Sequence, residues 1–325
     1  MIDLLLPFHY EFFIKGIIVS VLLGGICGLS GVYIILRGLS YVGHGLSHAA
    51  FGGAIVGSIV GLNYYVGAII WSYLASFVIY EISKRNKIKP DAAIGLVTTA
   101  IFAFGVLLVS ITNRYTRNFE SLLFGNILAI TEQDLYIIVS VTILSGAFFF
   151  FLHKRLVFSF FDNESAKISG IKTSYIELLF SFVLATIIIV SMSSIGVTLL
   201  ASVIVGPAIS ARMLSNNFSN VVFLSIIIGS VASFCGMYAS FFLDSSSGPT
   251  IVMFITLAFG ITALYTVFKK IYHSHSHGGI SHSHPHLHTD EHRHEHEHEH
   301  EHEYRYGYIY IYICVCIYIY SLSIS

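Results

Sequence analysis

The sequence predicts an all-α membrane protein: a polytopic bundle of eight or nine transmembrane helices with short half-helices, followed by a disordered C-terminal tail. Two observations predict this fold class. Of the 325 residues, 55% are hydrophobic and only 11% are charged, whereas a soluble domain carries about a quarter charged residues. Apolar runs of about 20 residues also recur as far as residue 268, and each is long enough to cross a bilayer.

The predicted transmembrane domain covers residues 1–272. Its segment 196–211 is short for a span, and 121–130 is short enough to be a half-helix, so we expect eight or nine crossings. The first apolar run is not followed by a cleavage site of the A-x-A type, and we therefore do not treat it as a signal peptide. The candidate spans are 12–36, 46–62, 64–82, 92–111, 134–152, 175–193, 196–211, 219–243 and 250–268.

Basic residues near the ends of the spans predict the orientation of the bundle. They cluster at 84–89, at 154–172, at Arg212 and at 269–270. If 196–211 crosses the membrane and both 121–130 and 244–249 lie on the opposite side, all four clusters fall on one side. That side is then cytoplasmic, because cytoplasmic loops carry the excess of Lys and Arg. This orientation puts the tail in the cytoplasm and the N-terminus outside, and it leaves Arg114 and Arg117 outside against the trend.

Small residues repeat along span 46–62, where Gly53, Gly57 and Gly61 are spaced four apart. Glycines at this spacing let helices approach closely in lipid, where packing drives association. We therefore expect this helix to be buried inside the bundle, with packing as the function of its glycines.

Two histidines, His44 and His48, lie four residues apart at the start of the same region. On a helix their Cβ atoms would be about 5–6 Å apart on one face. Two neutral imidazoles can share one divalent metal, and ionisable residues inside a membrane usually face a pathway or a partner. Gly52 continues this face and would leave room beside it. A histidine pair that only hydrogen-bonds neighbouring helices, or sits at the membrane interface, is the alternative.

The tail divides into a His-rich segment, 273–303, and a low-complexity segment, 304–325. Thirteen of the 17 histidines lie in it, and its polar composition predicts disorder. Such tracts bind Zn, Ni or Cu loosely, although neutral expansion of a coding repeat would produce one too. We assign no function to 304–325, whose Tyr-Ile and Cys-Val alternation is what dinucleotide coding repeats produce. The candidate metal ligands of the tail are His273, His275, His277, His282, His284 and His286.

The polar loop FDNESAKISGIKTSY (161–175) is long for a chain of this composition. Asp162 and Glu164 would begin a short amphipathic helix that continues through Ala166 and ends at Gly170. Such a helix could dock on a soluble partner, and an ordinary solvated loop is the alternative. The chain has no GxxxxGK[ST] motif, so ATP-driven transport would need a second subunit to hydrolyse ATP. Nothing in the sequence indicates an enzyme or nucleic-acid binding.

Five stretches in order resemble the membrane permeases of binding-protein-dependent ABC importers for zinc, manganese and iron. The resemblance extends over about residues 11–270 and leaves out the tail. The stretches are LRGLSYVGHGLSHAAFGG (36–53), DAAIGLVTTAIFAFGVLLVS (91–110), LLFGNILAITEQDL (122–135), GVTLLASVIVGPAISARML (196–214) and SGPTIVMFITLAFG (247–260).

The resemblance implies a homodimer in the lipid bilayer, with a translocation path at or near its twofold axis. It also implies a cytoplasmic ATP-binding subunit and an extracytoplasmic metal-binding protein. The loop with Asp162, Glu164, Ala166 and Gly170 would be the helix that couples to the ATPase. His48 matches the expected metal site of similar permeases, which commonly have Asp-x-x-x-His; His44 stands where the aspartate is usual.

Two imidazoles favour Zn over Mn or Fe, and His44 removes a negative charge that would offset the dication. The sequence therefore predicts a permease of a zinc importer in a bacterial inner membrane, with Zn²⁺ as transported substrate and no permanently bound cofactor. Manganese or iron import by the same mechanism is the first alternative. An ATP-independent metal transporter or channel and a non-transporting metal sensor that uses its tail are the others.

Overall fold

The computed structural model describes residues 5–39, 41–84, 90–112, 122–277 and 280–285. Almost all of the bundle in this part of the chain is α-helical, which confirms the predicted fold class. The helices are α1 (Glu11–Arg37), α2 (Val42–Val60), α3 (Tyr64–Lys84), α4 (Pro90–Thr112), α5 (Glu132–Phe161), α6 (Asn163–Ile168), α7 (Thr173–Ile195), α8 (Leu200–Leu214), α9 (Phe218–Phe242) and α10 (Ser247–Ile271). Short 3-10 helices cover Leu6–His9 and Ile127–Ala129.

Each of the nine predicted spans corresponds to one long helix. Among the described residues, seven helices are long and apolar enough to cross a membrane: α1, α3, α4, α5, α7, α9 and α10. The 15 residues of α8 extend about 22 Å at 1.5 Å per residue, which is less than the hydrocarbon thickness of about 30 Å. The segment 196–211, predicted as a short span, therefore forms a half-helix.

Glycines bring the helices together in two groups. In the first, α1 packs against α8 and α9; a Cβ on Gly28 would lie 2.6 Å from the carbonyl oxygen of Ser225. In the second, α2 packs between α3 and α4; a Cβ on Gly57 would lie 2.9 Å from the Cα of Gly67. Such approaches let backbones contact directly, as expected for helix association in lipid.

Two predictions about the glycines of α2 are wrong. Gly61 does not pack against another helix; it ends α2 at φ 84°, and a Cβ there would meet nothing within 4 Å. This is the left-handed conformation that glycine adopts at helix ends. Gly52 does not leave open room beside the histidines, because a Cβ there would lie 2.7 Å from the carbonyl oxygen of Ile101 on α4.

Two interrupted segments meet where α7 gives way to α8. The backbone N–H of Asn126 donates to the Ser193 carbonyl at 3.0 Å, and the Thr198 hydroxyl donates to the Leu123 carbonyl at 2.9 Å. Gly125 and Gly196 both have positive φ angles, 79° and 95°, and each would clash with the other's backbone if it carried a Cβ. The segment predicted as a half-helix at 121–130 is thus a short helical turn followed by a 3-10 helix.

Ion pairs mark opposite ends of α1. At its start, the Lys15 ammonium lies 3.1 Å from the Glu132 carboxylate of α5. At its end, the Arg37 guanidinium lies 2.8 Å from the Glu177 carboxylate of α7. The α6 loop is therefore at the same end of the bundle as the turn between α1 and α2.

Beyond the bundle, Tyr272–His277 pairs antiparallel with Ile280–Pro285. Except for Tyr272, both strands lie within the segment 273–303, and the disorder predicted for that segment stays a prediction. In the sequence of this region, His alternates with Ser at a period of two residues, which is typical of a strand. The dipeptide Gly278-Gly279 is typical of a two-residue connection between paired strands. The remainder of the tail, from residue 286, lies outside the described residues.

Candidate metal site

A tight turn between α1 and α2 positions the histidines. Gly38, at φ 71°, ends α1 and its N–H bonds back to the carbonyls of Ile34 and Ile35. The N–H of Val42 then donates to the Leu39 carbonyl at 3.1 Å, and α2 begins. Both histidines are thus on α2, which starts four residues earlier than the predicted span.

His44 and His48 are in direct contact. Their Nε2 atoms lie 3.0 Å apart, and their rings meet edge to face with centroids 4.4 Å apart. Each side chain is partly exposed. One imidazole donates to the other at this distance, so the pair in this form shares a proton between two nitrogens that could otherwise bind a metal.

Aromatic rings flank the pair on both sides. Tyr41 lies 5.2 Å from His44 between ring centroids, and Phe102 of α4 lies 4.9 Å from His48. The Nδ1 atom of His48 is buried and has no hydrogen-bond partner among the described residues. The sequence did not single out Tyr41 or Phe102, since an aromatic residue in an apolar run is ordinary.

The donor set fits a divalent metal with further ligands supplied from outside. A tetrahedral ion with bonds of about 2.0–2.1 Å separates two nitrogen ligands by about 3.3 Å, close to the observed spacing of the Nε2 atoms. In the described part of the chain, no group of three or more His, Cys, Asp or Glu residues comes together. To complete the coordination of an ion, the pair therefore needs further ligands from water or from another chain.

The predicted helix in the 161–175 loop is present as α6. Asp162 accepts a hydrogen bond from the backbone N–H of Ser165 at 3.0 Å, which caps the helix. Hydrogen bonds from the Ser165 side chain and from its backbone N–H lower the pKa of this carboxyl below its ordinary value. Ala166 is fully buried, Glu164 is exposed, and Gly170 turns the chain at φ 81°. The loop is folded against the bundle, with its acidic edge outward.

Five of the six predicted tail ligands lie on the two strands. The register pairs His273 with His284 and His275 with His282, while His277 pairs with Ile280. His286 lies outside the described residues. The pairing brings histidine positions opposite one another across the hairpin.

Sequence reasoning missed a second polar group near the α1–α2 turn. Glu177 accepts hydrogen bonds there from both Arg37 and Asn163. Glu177 is the one acidic residue of α7, and a charge inside an apolar helix needs a partner. That signal was present, but a single sequence does not say which residue is the partner.

Comparison with known proteins identifies the family. Residues 9–266 match the ABC 3 transport family. A Haemophilus influenzae protein described as "Probable iron transport system membrane protein" is 34% identical over 270 residues, covering 82% of this chain and 94% of that protein. The manganese transport system membrane protein MntC of Listeria monocytogenes is 30% identical over 79% of this chain and 91% of its own.

Solved structures agree with this assignment. PsaBC from Streptococcus pneumoniae, solved in complex with Fab, has a chain that superposes with a TM-score of 0.71 at 29% identity, covering 78% of this chain and 91% of that one. A metal-chelate type ABC transporter in an inward-facing conformation shares the fold, with a TM-score of 0.64 at 16% identity over 78% of this chain and 85% of that one. The chain is a multi-pass membrane protein that belongs to the ABC 3 transport family.

Proposed function

We propose that this chain is the membrane-spanning permease of an ATP-driven importer of divalent metal, with His44 and His48 as ligands in the path. The observation that carries the proposal is the 3.0 Å separation of their Nε2 atoms on a helix packed between α3 and α4. Relatives named for iron and manganese transport support the metal as cargo.

A second copy of the chain completes the site. Two imidazoles leave two positions of a tetrahedral ion unfilled, and the described residues offer no third ligand nearby. Both histidines are partly exposed on the surface of one chain. A twofold axis beside them would bring a second pair into reach, and the ion would then be held between the protomers and released when they separate.

Two further partners follow from the chemistry. The chain has no GxxxxGK[ST] motif, so the energy has to come from an ATP-binding subunit. That subunit docks on α6, whose Asp162 cap, exposed Glu164 and buried Ala166 make a small ordered surface. An extracytoplasmic metal-binding protein delivers the ion at the end of the bundle opposite α6.

Zinc is the proposed cargo, and manganese or iron is the second candidate. Imidazole pairs suit Zn, Ni and Cu, whereas carboxylate ligands suit Mn. Among the residues that the structure describes, no carboxylate joins the two imidazoles in a metal-binding group. The names of the relatives favour manganese and iron instead. The two candidates differ in one measurable property, which is the order in which metals compete for uptake.

The tail can take up metal that leaves the path. The register of the strands pairs His273 with His284 and His275 with His282. A tract this rich in histidine suits loose binding of Zn, Ni or Cu. Such a site would act as an acceptor on the side where the tail lies.

The test is metal uptake by cells that lack their own importers and express this chain with its ATP-binding subunit and binding protein. We expect uptake of ⁶⁵Zn that disappears when the P-loop lysine of the ATP-binding subunit is replaced. Unlabelled Zn²⁺ should compete better than Mn²⁺ or Fe²⁺. Better competition by Mn²⁺ would favour the second candidate, and uptake that persists without ATP hydrolysis would refute the importer.

A further inference from the structure

A chain of hydrogen bonds joins α6 to the end of α1 through one carboxylate. Arg37 Nη2 donates to Oε2 of Glu177 at 2.8 Å, and Asn163 Nδ2 donates to Oε1 of the same side chain at 3.0 Å. The Thr173 hydroxyl in turn donates to Oδ1 of Asn163 at 3.1 Å. Glu177 therefore uses both of its oxygens to join α6 to the end of α1.

The ion pair between Arg37 and Glu177 is largely shielded from solvent, which makes it costly to break. The side chains of Arg37 and Glu177 are each only 20% exposed, and the Arg37 guanidinium carbon lies 5.5 Å from the centre of the Phe160 ring. A charge in such a position is costly when its partner is removed. If α6 moves, Glu177 and Arg37 are thus expected to move with it rather than separate.

Both ends of this chain of bonds lead to sites that the transport cycle uses. Asn163 is the first residue of α6, which is the proposed docking element for the ATP-binding subunit. Arg37 is the last residue of α1, and Gly38, at φ 71°, turns the chain directly towards α2. Only six residues separate Arg37 from His44, so a shift of the guanidinium reaches the start of the helix that carries the metal ligands.

The structure also leaves space for such a shift. A cavity of about 410 Å³ lies beside the network, and Arg37, Asn163, Glu177 and Val42 of α2 line it. Ser159 lines it as well, and its hydroxyl is buried without a hydrogen-bond partner among the described residues. Close-packed interiors resist small displacements, whereas side chains beside a cavity can take a second arrangement.

We propose that Glu177 is a positioning residue that transmits movement of α6 to the turn before His44, so that ATP hydrolysis and metal release occur together. The proposal rests on the proposed function, because it needs an ATP-binding subunit at α6 and a metal at His44. Loss of the Glu177 charge separates the two events: ATP is still hydrolysed, but α2 no longer follows.

The ion pair between Lys15 of α1 and Glu132 of α5 provides a control for the loss of charge. Lys15, near the start of α1, pairs with Glu132 of α5 at 3.1 Å and also with Glu11. It is an ion pair between α1 and another helix, as Arg37–Glu177 is, but it lies at the end of the bundle away from α6. Glu132→Gln and Glu177→Gln each remove one carboxylate charge from an ion pair with α1. The Glu132 side chain is 69% exposed and the Glu177 side chain 20% exposed, so this control matches the lost charge and not the burial.

The experiment measures metal transported and ATP hydrolysed by the complete importer in proteoliposomes. For Glu177→Gln we expect normal assembly and ATP hydrolysis, with the ratio of metal to ATP about tenfold lower, within the range of about 5 to 150-fold typical of coupling between sites. For Glu132→Gln we expect the wild-type ratio. An unchanged ratio in Glu177→Gln, or an equal fall in both variants, would overturn the proposal.

A second variant covers the case in which Glu177→Gln does not assemble. Asn163→Ser removes the amide donor at 3.0 Å and leaves the Arg37–Glu177 pair intact. It should lower the same ratio, and a wild-type ratio would refute the transmission. Failure of the proposed function is distinguishable, because the wild-type complex would then show no ATP-dependent uptake at all.

Discussion

The Nε2 atoms of His44 and His48 lie 3.0 Å apart, one helical turn from each other on α2. Without a metal, one nitrogen donates its proton to the other. Binding of one metal by both Nε2 lone pairs requires the donating imidazole to carry its proton on Nδ1 instead, because each neutral imidazole has one N–H and one lone pair. The contact between the two residues therefore places two candidate ligand atoms within reach of one ion.

Replacing His44 by aspartate should change which metal is carried. His44→Asp restores the Asp-x-x-x-His pattern of similar permeases and brings a carboxylate, a ligand that suits Mn. We expect the ratio of Mn²⁺ to Zn²⁺ uptake to rise on the order of tenfold, equivalent to ~1.4 kcal/mol. His44→Asn, which adds no charge, is the control. An equal ratio in the wild type and His44→Asp would contradict selection by this residue.

Close packing of α2 against α3 should make Gly57 intolerant of a side chain. A Cβ at Gly57 would lie 2.9 Å from Cα and 3.2 Å from N of Gly67, and backbone atoms cannot move aside cheaply. We expect Gly57→Ala to destabilise the protein by about 1–3 kcal/mol, as overpacking does. Thermal unfolding in detergent measures this. Gly146→Ala in α5, where a Cβ meets nothing within 4 Å, should leave the midpoint unchanged or raised; equal shifts would contradict the account.

Loss of the Asp162 cap of α6 should weaken association with the ATP-binding subunit. Asp162→Ala removes the acceptor for the Ser165 N–H and should weaken association several-fold, whereas Asp162→Ser, which can also cap, should preserve it. Co-purification of the two subunits measures this. Equal association in both variants would exclude a role for the cap.

Protonation of Asp162 should remove the cap of α6 only well below neutral pH. Hydrogen bonds from Ser165 lower the pKa of Asp162, so the ionised form stabilises the loop above the pKa of the unfolded chain and this contribution is lost as pH falls through the lower folded value. Association in detergent should therefore be flat from about pH 8 to about pH 5. A steep loss within that range would point to another group.

Removing the tail should leave transport intact. The helices that carry and contact the histidine pair end before residue 273, so a chain of residues 1–272 keeps the path. We expect wild-type initial uptake of ⁶⁵Zn, with a changed response at low external zinc if the histidines of the hairpin act as acceptors. A truncated chain that reaches the membrane in normal amount but transports nothing would support the metal-sensor alternative.

Much of this fold could be predicted from the sequence because hydrophobic length is a local property. The nine predicted apolar segments, which include the short α8, and the helix after Asp162 all follow from the local composition over a length of about one helix. The spacing of His44 and His48 likewise fixed their common face. These features need no knowledge of which helices are neighbours.

Features that depend on pairing could not be predicted. The ladder Gly53, Gly57 and Gly61 implied one packed face, but Gly61 ends the helix with a left-handed turn, and Gly52 fits against α4. The partners of Glu177 come from residues 14 and 140 positions away.

The most direct test of the central claim is ATP-dependent metal uptake by the double variant His44→Ala/His48→Ala, measured beside His9→Ala. His9 is an exposed imidazole bonded to the Leu5 carbonyl at the opposite end of α1. With equal amounts of assembled importer, uptake should be lost in the double variant and normal in His9→Ala. Wild-type uptake by the double variant would contradict a metal path through His44 and His48.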